Sequence, residues 1–192
     1  MLQNFVAFVL SLFWNVTCGA TLTKSTESVL QSVMIPYKQG SEPMPLSVGD
    51  TAPNFTVKDT IGKTVTLSEY AGKTVVLYFY PKDDTPGCTK EACSFRDNYE
   101  QYLSQGITVF GVSLDDELSH QQFTEKFNLP FPLLADVDGA IAKAYDVIME
   151  RNGTLYAQRV TYVIGGDRKI EKVYTSIQTD THASDILAEI AA

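Results

Sequence analysis

Basic residues, histidine and cysteine are all scarce in this chain of 192 residues: 15 Lys and Arg stand against 23 Asp and Glu, a formal net charge of −8, with two His and three Cys. Each shortage removes a class of function. Non-specific nucleic-acid binding runs on Lys and Arg contacts to phosphate, which an acidic balance does not supply. Three cysteines are too few for a disulfide-dense scaffold, and two histidines leave little with which to build a metal centre. With 12 Gly and 8 Pro the composition is neither collagen-like nor low-complexity. The longest apolar run is the ten residues from Phe5 to Trp14, interrupted by Ser11, well short of the about 20 that span a bilayer. What is left is a chain 44% apolar and 20% charged, the composition of a globular domain with a real core. Its one anomaly is an odd number of cysteines.

The run Phe5 to Trp14 (FVAFVLSLFW) precedes the small residues Cys18, Gly19 and Ala20, and has the form of a signal-peptide h-region with cleavage after Gly19 or Ala20. No Lys or Arg stands before it, and a retained anchor or a helix of the domain are the competing readings. We expect residues 1–20 to be a cleaved leader, 21–45 a polar linker or arm, and 46–192 one domain without internal repeats. Cleavage removes Cys18 and the sole tryptophan, Trp14. The odd cysteine count then becomes a pair, Cys88 and Cys93.

Within the domain, Phe55 to Lys58 and Thr64 to Leu67 flank a turn at Ile61-Gly62-Lys63 and predict a hairpin. Thr74 to Tyr80 (TVVLYFY) is continuously β-branched and aromatic, as a strand covered on both faces should be. Pro81 ends it. A helix is expected from about Cys88 to Gly106, with Ala92, Phe95, Tyr99, Tyr102 and Leu103 on one face. Ile107 to Ser113 reads as a second buried strand, followed by a helix that Ser119 and Gln122 would open as a capping box, with Phe123 and Phe127 on its inner face. Phe131 to Ala135 predicts a short strand, and Ile141, Ala144 and Tyr145 a short helix. Val160 to Ile164 and Ile170 to Tyr174 form a hairpin around Gly165-Gly166-Asp167, and a last helix carries Ala183, Ile186, Leu187 and Ile190. Strands alternating with helices and closing on a hairpin and a helix predict an α/β three-layer sandwich with a central mixed sheet.

The chemistry concentrates in Tyr80 to Cys93, YPKDDTPGCTKEAC. Cys88 falls just after a buried strand in the first turn of a helix, where unpaired amides and the positive end of the helix dipole favour a thiolate. Complete ionisation of a thiol that is ordinarily a few per cent thiolate gains at most about 30-fold, so donors aimed at the substrate oxygen must supply the rest of an efficient reaction. Cys93 lies five residues on. Along an intact helix that separates the Cα atoms by roughly 8–9 Å, beyond the roughly 4.4–6.8 Å of a disulfide, so the two can pair only if the first turns unwind.

The segment PKDDTPGCTKEAC contains PxxxTxxC, and with the LYFYP strand and the opening VGDTAPNF it resembles a peroxiredoxin of the bacterioferritin-comigratory or PrxQ subfamily, from about Leu46 to the C-terminus. The resemblance implies a thioredoxin-like fold and the reduction of hydrogen peroxide and organic hydroperoxides without a cofactor or metal. It makes Cys88 the peroxidatic cysteine, Cys93 the resolving cysteine, Thr85 the hydroxyl beside the thiol, Pro81 the shield of the pocket and Arg159, in QRVTYVI, the cation facing the thiolate. Arg159 with the amides of Gly87 and Cys88 would hold the peroxide oxygens, Thr85 would orient them, and Cys93 would condense with the sulfenic acid. A thioredoxin-like dithiol reductant would restore the pair. With the resolving thiol in the same chain, a monomer is the simpler expectation. The leader implies export, to a periplasm, to the outside or to a thylakoid lumen, and no stable membrane insertion.

Plainer roles compete at each position. Cys88 and Cys93 could be a structural disulfide, which their helical spacing disfavours. His120 and His182 are expected to be solvent-facing helical side chains. Asp83, Asp84, Asp115, Asp116, Asp136 and Asp138 read as loop and cap residues. Asn54-Phe55-Thr56 and Asn152-Gly153-Thr154 are glycosylation acceptors only in a host that glycosylates exported chains. An exported thioredoxin-fold disulfide carrier would show CxxC where this chain has CxxxxC, and a non-catalytic binding module would consume no peroxide.

Overall fold

The computed structural model describes residues 44–190, so the proposed leader and arm, apart from residues 44–45, with Cys18 and the last two residues lie outside the described part. A hairpin of β1 (Thr56–Lys58) and β2 (Thr64–Thr66) comes first, paired as expected with Val57 opposite Val65. A 3₁₀ turn, Leu67–Tyr70, leads into β3 (Val75–Phe79). Then follow helices α1 (Pro86–Asp97) and α2 (Tyr99–Ser104), strand β4 (Thr108–Ser113) and helix α3 (Glu117–Phe127). Strand β5 (Leu133–Ala135), helix α4 (Ala140–Ala144) and strands β6 (Ile148–Arg151) and β7 (Thr154–Ala157) come next. Strands β8 (Val160–Ile164) and β9 (Ile170–Tyr174) and helix α5 (His182–Ile190) complete the order.

The central sheet has five strands in the order β5-β4-β3-β8-β9. It is mixed: β3 runs parallel to β4, with Val75 beside Thr108, and antiparallel to β8, with Val75 opposite Ile164. Every residue of β3 is buried, and the pleat sorts them to two faces. Val75, Leu77 and Phe79 join Phe110, Val112, Tyr145 and Tyr162 in one apolar cluster, whereas Val76, Tyr78 and Tyr80 join Cys88, Phe95, Phe123, Val163 and Ile186 in the other. Helices α1, α3 and α5 supply the second cluster, and α4 with the β1–β2 hairpin supplies the first, which makes three layers. Gly111 is a packing requirement of that second face, since a Cβ there would lie 2.6 Å from the Tyr78 ring.

Two expectations are corrected and one element is added. The single helix from Cys88 to Gly106 is two: its apolar spacing runs on, but the backbone breaks at Asn98, whose side chain turns back to donate to the Ser94 carbonyl at 2.8 Å, and Leu103 is exposed. The α3 cap is Asp116, not Ser119; Asp116 Oδ1 accepts from the Ser119 amide at 2.8 Å. The β6–β7 hairpin was not anticipated, although Asn152 and Gly153 carry the φ values of 53° and 76° that its tight turn needs.

Candidate active site

Strand β3 delivers the chain to the site. After Tyr80 and Pro81 the loop reverses through Asp84, which holds a left-handed φ of 53°. Thr85 is then extended (φ −92°, ψ 150°) and stands at the N-cap position of α1 without a side-chain capping bond, with Pro86 at the helix start where a missing N–H costs nothing. The first carbonyl-to-amide bond of the helix runs from Thr85 O to Thr89 N at 2.8 Å. The amides of Gly87 and Cys88 precede it and have no carbonyl one turn back.

Cys88 is buried and Cys93 half-buried, and both are free thiols. Arg159 reaches in from the link between β7 and β8, and its Nη2 stands 3.1 Å from Cys88 Sγ. Gly87 leaves this approach uncrowded, because a Cβ there would sit 3.3 Å from the same nitrogen and push it back by a few tenths of an ångström. Pro81 and Thr85 lie half-buried at the mouth of the loop. The Thr85 hydroxyl donates to the Lys82 carbonyl at 3.0 Å, bracing the loop rather than bonding to the thiol. Thus Pro81, Thr85, Gly87 and Cys88 are assembled by one loop and helix start, and Arg159 comes to Cys88 across 71 positions of sequence.

Glu91 is a site residue that sequence reasoning missed. It is fully buried, and Arg159 Nη1 donates to its Oε2 while its Oε1 has no partner among the described residues. Burial pushes its carboxyl up to about 7, with the Arg159 guanidinium pulling the other way. Burial works against the charge of Arg159, but Glu91 and Cys88 more than offset this and its pKa is raised. The available signal was the spacing: three residues after Cys88 on a helix is the same face.

Both histidines are corrected, since neither faces solvent. His120 is fully buried between Asp83 Oδ2, 2.8 Å from Nδ1, and the Leu134 carbonyl, 3.2 Å from Nε2. His182 is buried with Nε2 2.8 Å from Thr161 Oγ1, and burial pushes it down to about 4. Asp83 is likewise no ordinary loop residue. It is buried, and although burial raises its carboxyl, bonds from His120, Tyr80 and Ser119 lower it below the usual value. Asp136 does cap: its two oxygens accept from Ile141 N at 2.9 Å and Ala142 N at 2.8 Å at the start of α4. Among the described residues no three His, Cys, Asp or Glu side chains converge as a metal site, and no helix is long and apolar enough to cross a membrane.

With this geometry the chain is similar to proteins of known kind. A match to the AhpC/TSA family covers residues 48–173. Peroxiredoxin Q, chloroplastic, of Triticum aestivum is 47% identical over 143 residues, which are 74% of this chain and 65% of the wheat protein. The putative peroxiredoxin bcp of Coxiella burnetii is 41% identical over 151 residues, 77% of this chain and 100% of its own length. Among solved structures, Xylella fastidiosa PrxQ superposes with a TM-score of 0.73 at 33% identity, covering 77% of this chain and 97% of the other. The Xanthomonas campestris bacterioferritin comigratory protein, studied for alkyl peroxide reduction, gives 0.67 at 33% identity, over 71% and 90%.

Proposed function

The chain belongs to the AhpC/TSA family, as a peroxiredoxin of the kind named Q and bcp, and from that premise we propose that it is a thiol-dependent peroxidase whose attacking atom is Cys88 Sγ. The observation that carries this is the Arg159 guanidinium 3.1 Å from a thiol buried in the first turn of a helix. There the thiolate is stabilised by Arg159 and by the helix start, while the Gly87 and Cys88 amides and the other guanidinium N–H groups are aimed where charge develops on the peroxide. Thr85 braces the loop in the resting site, and its hydroxyl is placed to turn toward a peroxide oxygen. Pro81 closes the approach beside it.

The thiolate attacks one peroxide oxygen, the O–O bond breaks, and the departing oxygen takes a proton to leave as water or an alcohol, with Cys88 oxidised to the sulfenic acid. Cys93 then attacks that sulfur, the S–O bond breaks, water leaves and a disulfide forms. Five helical residues hold the Cα atoms roughly 8–9 Å apart, so the first turns of α1 must open for this step. A thioredoxin-like dithiol reduces the disulfide by two exchanges, and the two cysteines of one chain suffice for a monomer to turn over.

Stopped-flow mixing of reduced protein with hydrogen peroxide tests the assignment. Wild type consumes peroxide rapidly, Cys88→Ser does not, and Cys93→Ser stops at a sulfenic acid that dimedone traps; activity surviving in Cys88→Ser would sink it. The plant relatives are chloroplastic proteins by name. For this chain the apolar leader supports delivery across a membrane to a periplasm or a thylakoid lumen, and intact-mass measurement of the soluble protein with Met1 to Ala20 still attached would contradict it.

A further inference from the structure

Behind the loop that carries the catalytic motif lies a second polar cluster, centred on Asp83. Its carboxylate accepts from Tyr80 Oη at 2.6 Å, Ser119 Oγ at 2.7 Å and His120 Nδ1 at 2.8 Å, while its own amide donates to Asp115 Oδ2 at 2.8 Å. The neighbouring carboxylates have other partners: Asp84 pairs with Lys126 at 2.6 Å on the surface, Asp115 accepts from the Ser113 hydroxyl at 2.8 Å as well as from the Asp83 amide, and Asp116 accepts from the Ser119 amide at 2.8 Å. Asp83 is therefore the charge that faces the imidazole. The remaining sides of His120 are closed by the Tyr80 ring at 6.4 Å and by the backbone of β5.

The ring nitrogens of His120 both face oxygens that can only accept, a carboxylate and a carbonyl. The ring therefore bridges Asp83 to the backbone of β5 within the interior of the fold. Such a bridge is a poor source of net stability, because apolar side chains of the same volume would avoid the desolvation cost. What it does supply is direction. One carboxylate five residues before Cys88 is tied to Tyr80 at the end of β3, to α3 and, through His120, to β5, and the left-handed turn at Asp84 is held on its other side by Lys126.

We propose that His120 is a positioning residue of the peroxidase reaction, clamping Asp83 and with it residues 81–85 so that α1 begins where Cys88 meets Arg159. This rests on Cys88 being the attacking thiol. Loosening the clamp lets the helix start drift from Arg159, which slows attack on peroxide. The same loosening favours the opened segment that Cys93 needs. The clamp thus acts on the two half-reactions in opposite directions, whereas general destabilisation of the fold would slow both.

His120→Asn and Asp83→Asn, singly and together, test this with peroxide reduction and Cys88–Cys93 closure measured separately by stopped flow. We expect each single variant to reduce peroxide about tenfold more slowly, with closure as fast as wild type or faster, and the double variant to be no slower than the worse single. Ser119→Ala, which removes one of the three donors and no packing of note, should shift both rates the same way by less. Both half-reactions slowed together, or additive effects in the double variant, would overturn the proposal. Failure of the wild type to consume peroxide would instead overturn the peroxidase reading, so the wild-type trace distinguishes the two cases.

Discussion

Replacing Glu91 by Gln should change how the stability of the reduced protein depends on pH. Glu91 is fully buried, and its carboxyl is pushed from 4.5 up to about 7. A group whose folded pKa is raised stabilises the fold while protonated; that contribution is complete below pH 4.5 and is lost as the pH rises through 7. A displacement of about 2.5 pH units at 1.36 kcal/mol each makes the whole swing about 3 kcal/mol, of which about 2 kcal/mol falls between pH 5 and 7. His182 runs the other way. Burial pushes it from 6.5 to about 4, so its contribution is complete above pH 6.5 and is lost as the pH falls through 4. In the wild type the two dependences oppose and largely cancel over this range. The Gln variant keeps only that of His182, so its stability should rise from pH 5 to pH 7 by about 2 kcal/mol more than that of the wild type, roughly 1 M in urea midpoint. Urea unfolding under reducing conditions at the two pH values measures this, and groups common to both proteins drop out of the comparison. A difference below about 0.5 kcal/mol would refute the assignment of Glu91 as a carboxyl that titrates near neutrality.

Gly87→Ala places a Cβ 3.3 Å from Arg159 Nη2, so it should slow peroxide reduction by about tenfold while raising, through helix propensity, the thermal stability of the reduced protein; an unchanged rate would show that Arg159 does not need this approach. Asp116→Ala removes the acceptor of the Ser119 amide at the start of α3 and should cost about 1 kcal/mol in denaturant titration; an unchanged midpoint would show that the cap carries no stability. Oxidation of the wild type with one equivalent of peroxide should lower the far-UV helical signal by about two turns, reversibly with a dithiol, and Cys93→Ser should show no such loss; full helicity in the disulfide form would contradict the required opening of α1.

The strand TVVLYFY was legible because β3 is covered on both sides, so its burial shows as an unbroken apolar run. The site loop was legible because Pro86, Gly87 and Cys88 follow directly on Thr85 and local chemistry dictates a helix start there. The break at Asn98 was not, since Phe95, Tyr99 and Tyr102 keep helical spacing across it and only the backbone departs. His120 and His182 were misread because their partners lie 37 and 21 positions away, and no local pattern distinguishes a histidine on a wet helix face from one aimed at a buried carboxylate. Glu91 was hidden for the same reason: in TKEA it looks like an ordinary helical charge, and Arg159 arrives from 68 positions on. The β6–β7 hairpin is half exposed and lacks an apolar rhythm, which left Asn152-Gly153 as its one signal.

The distribution of large side chains along α1 decides how far the helix can open. From Pro86 to Cys93 the residues withdrawn from solvent are Cys88, Glu91 and Ala92, so unwinding that stretch returns to water one thiol, one methyl and a carboxyl that burial disfavours in its charged form. The apolar part of that cost is on the order of 1–2 kcal/mol. The next residues are held differently. Ser94 Oγ accepts from Ala183 N at 3.2 Å, Arg96 Nη1 donates to the Phe127 carbonyl at 2.9 Å, and Phe95 stacks on Tyr78 with ring centroids 4.6 Å apart. Exposing Phe95 would by itself forfeit about 2–3 kcal/mol, so on the peroxidase reading opening is confined to the segment that contains both cysteines. Within that segment the side-chain hydrogen bonds to the rest of the fold are, among the described residues, the two made by Arg159, to Cys88 and to Glu91. Conversion of the Cys88 thiolate to a sulfenic acid removes the negative charge from one of them. On the peroxidase reading, the reaction that creates the need for Cys93 to approach therefore also weakens the contact that kept it away.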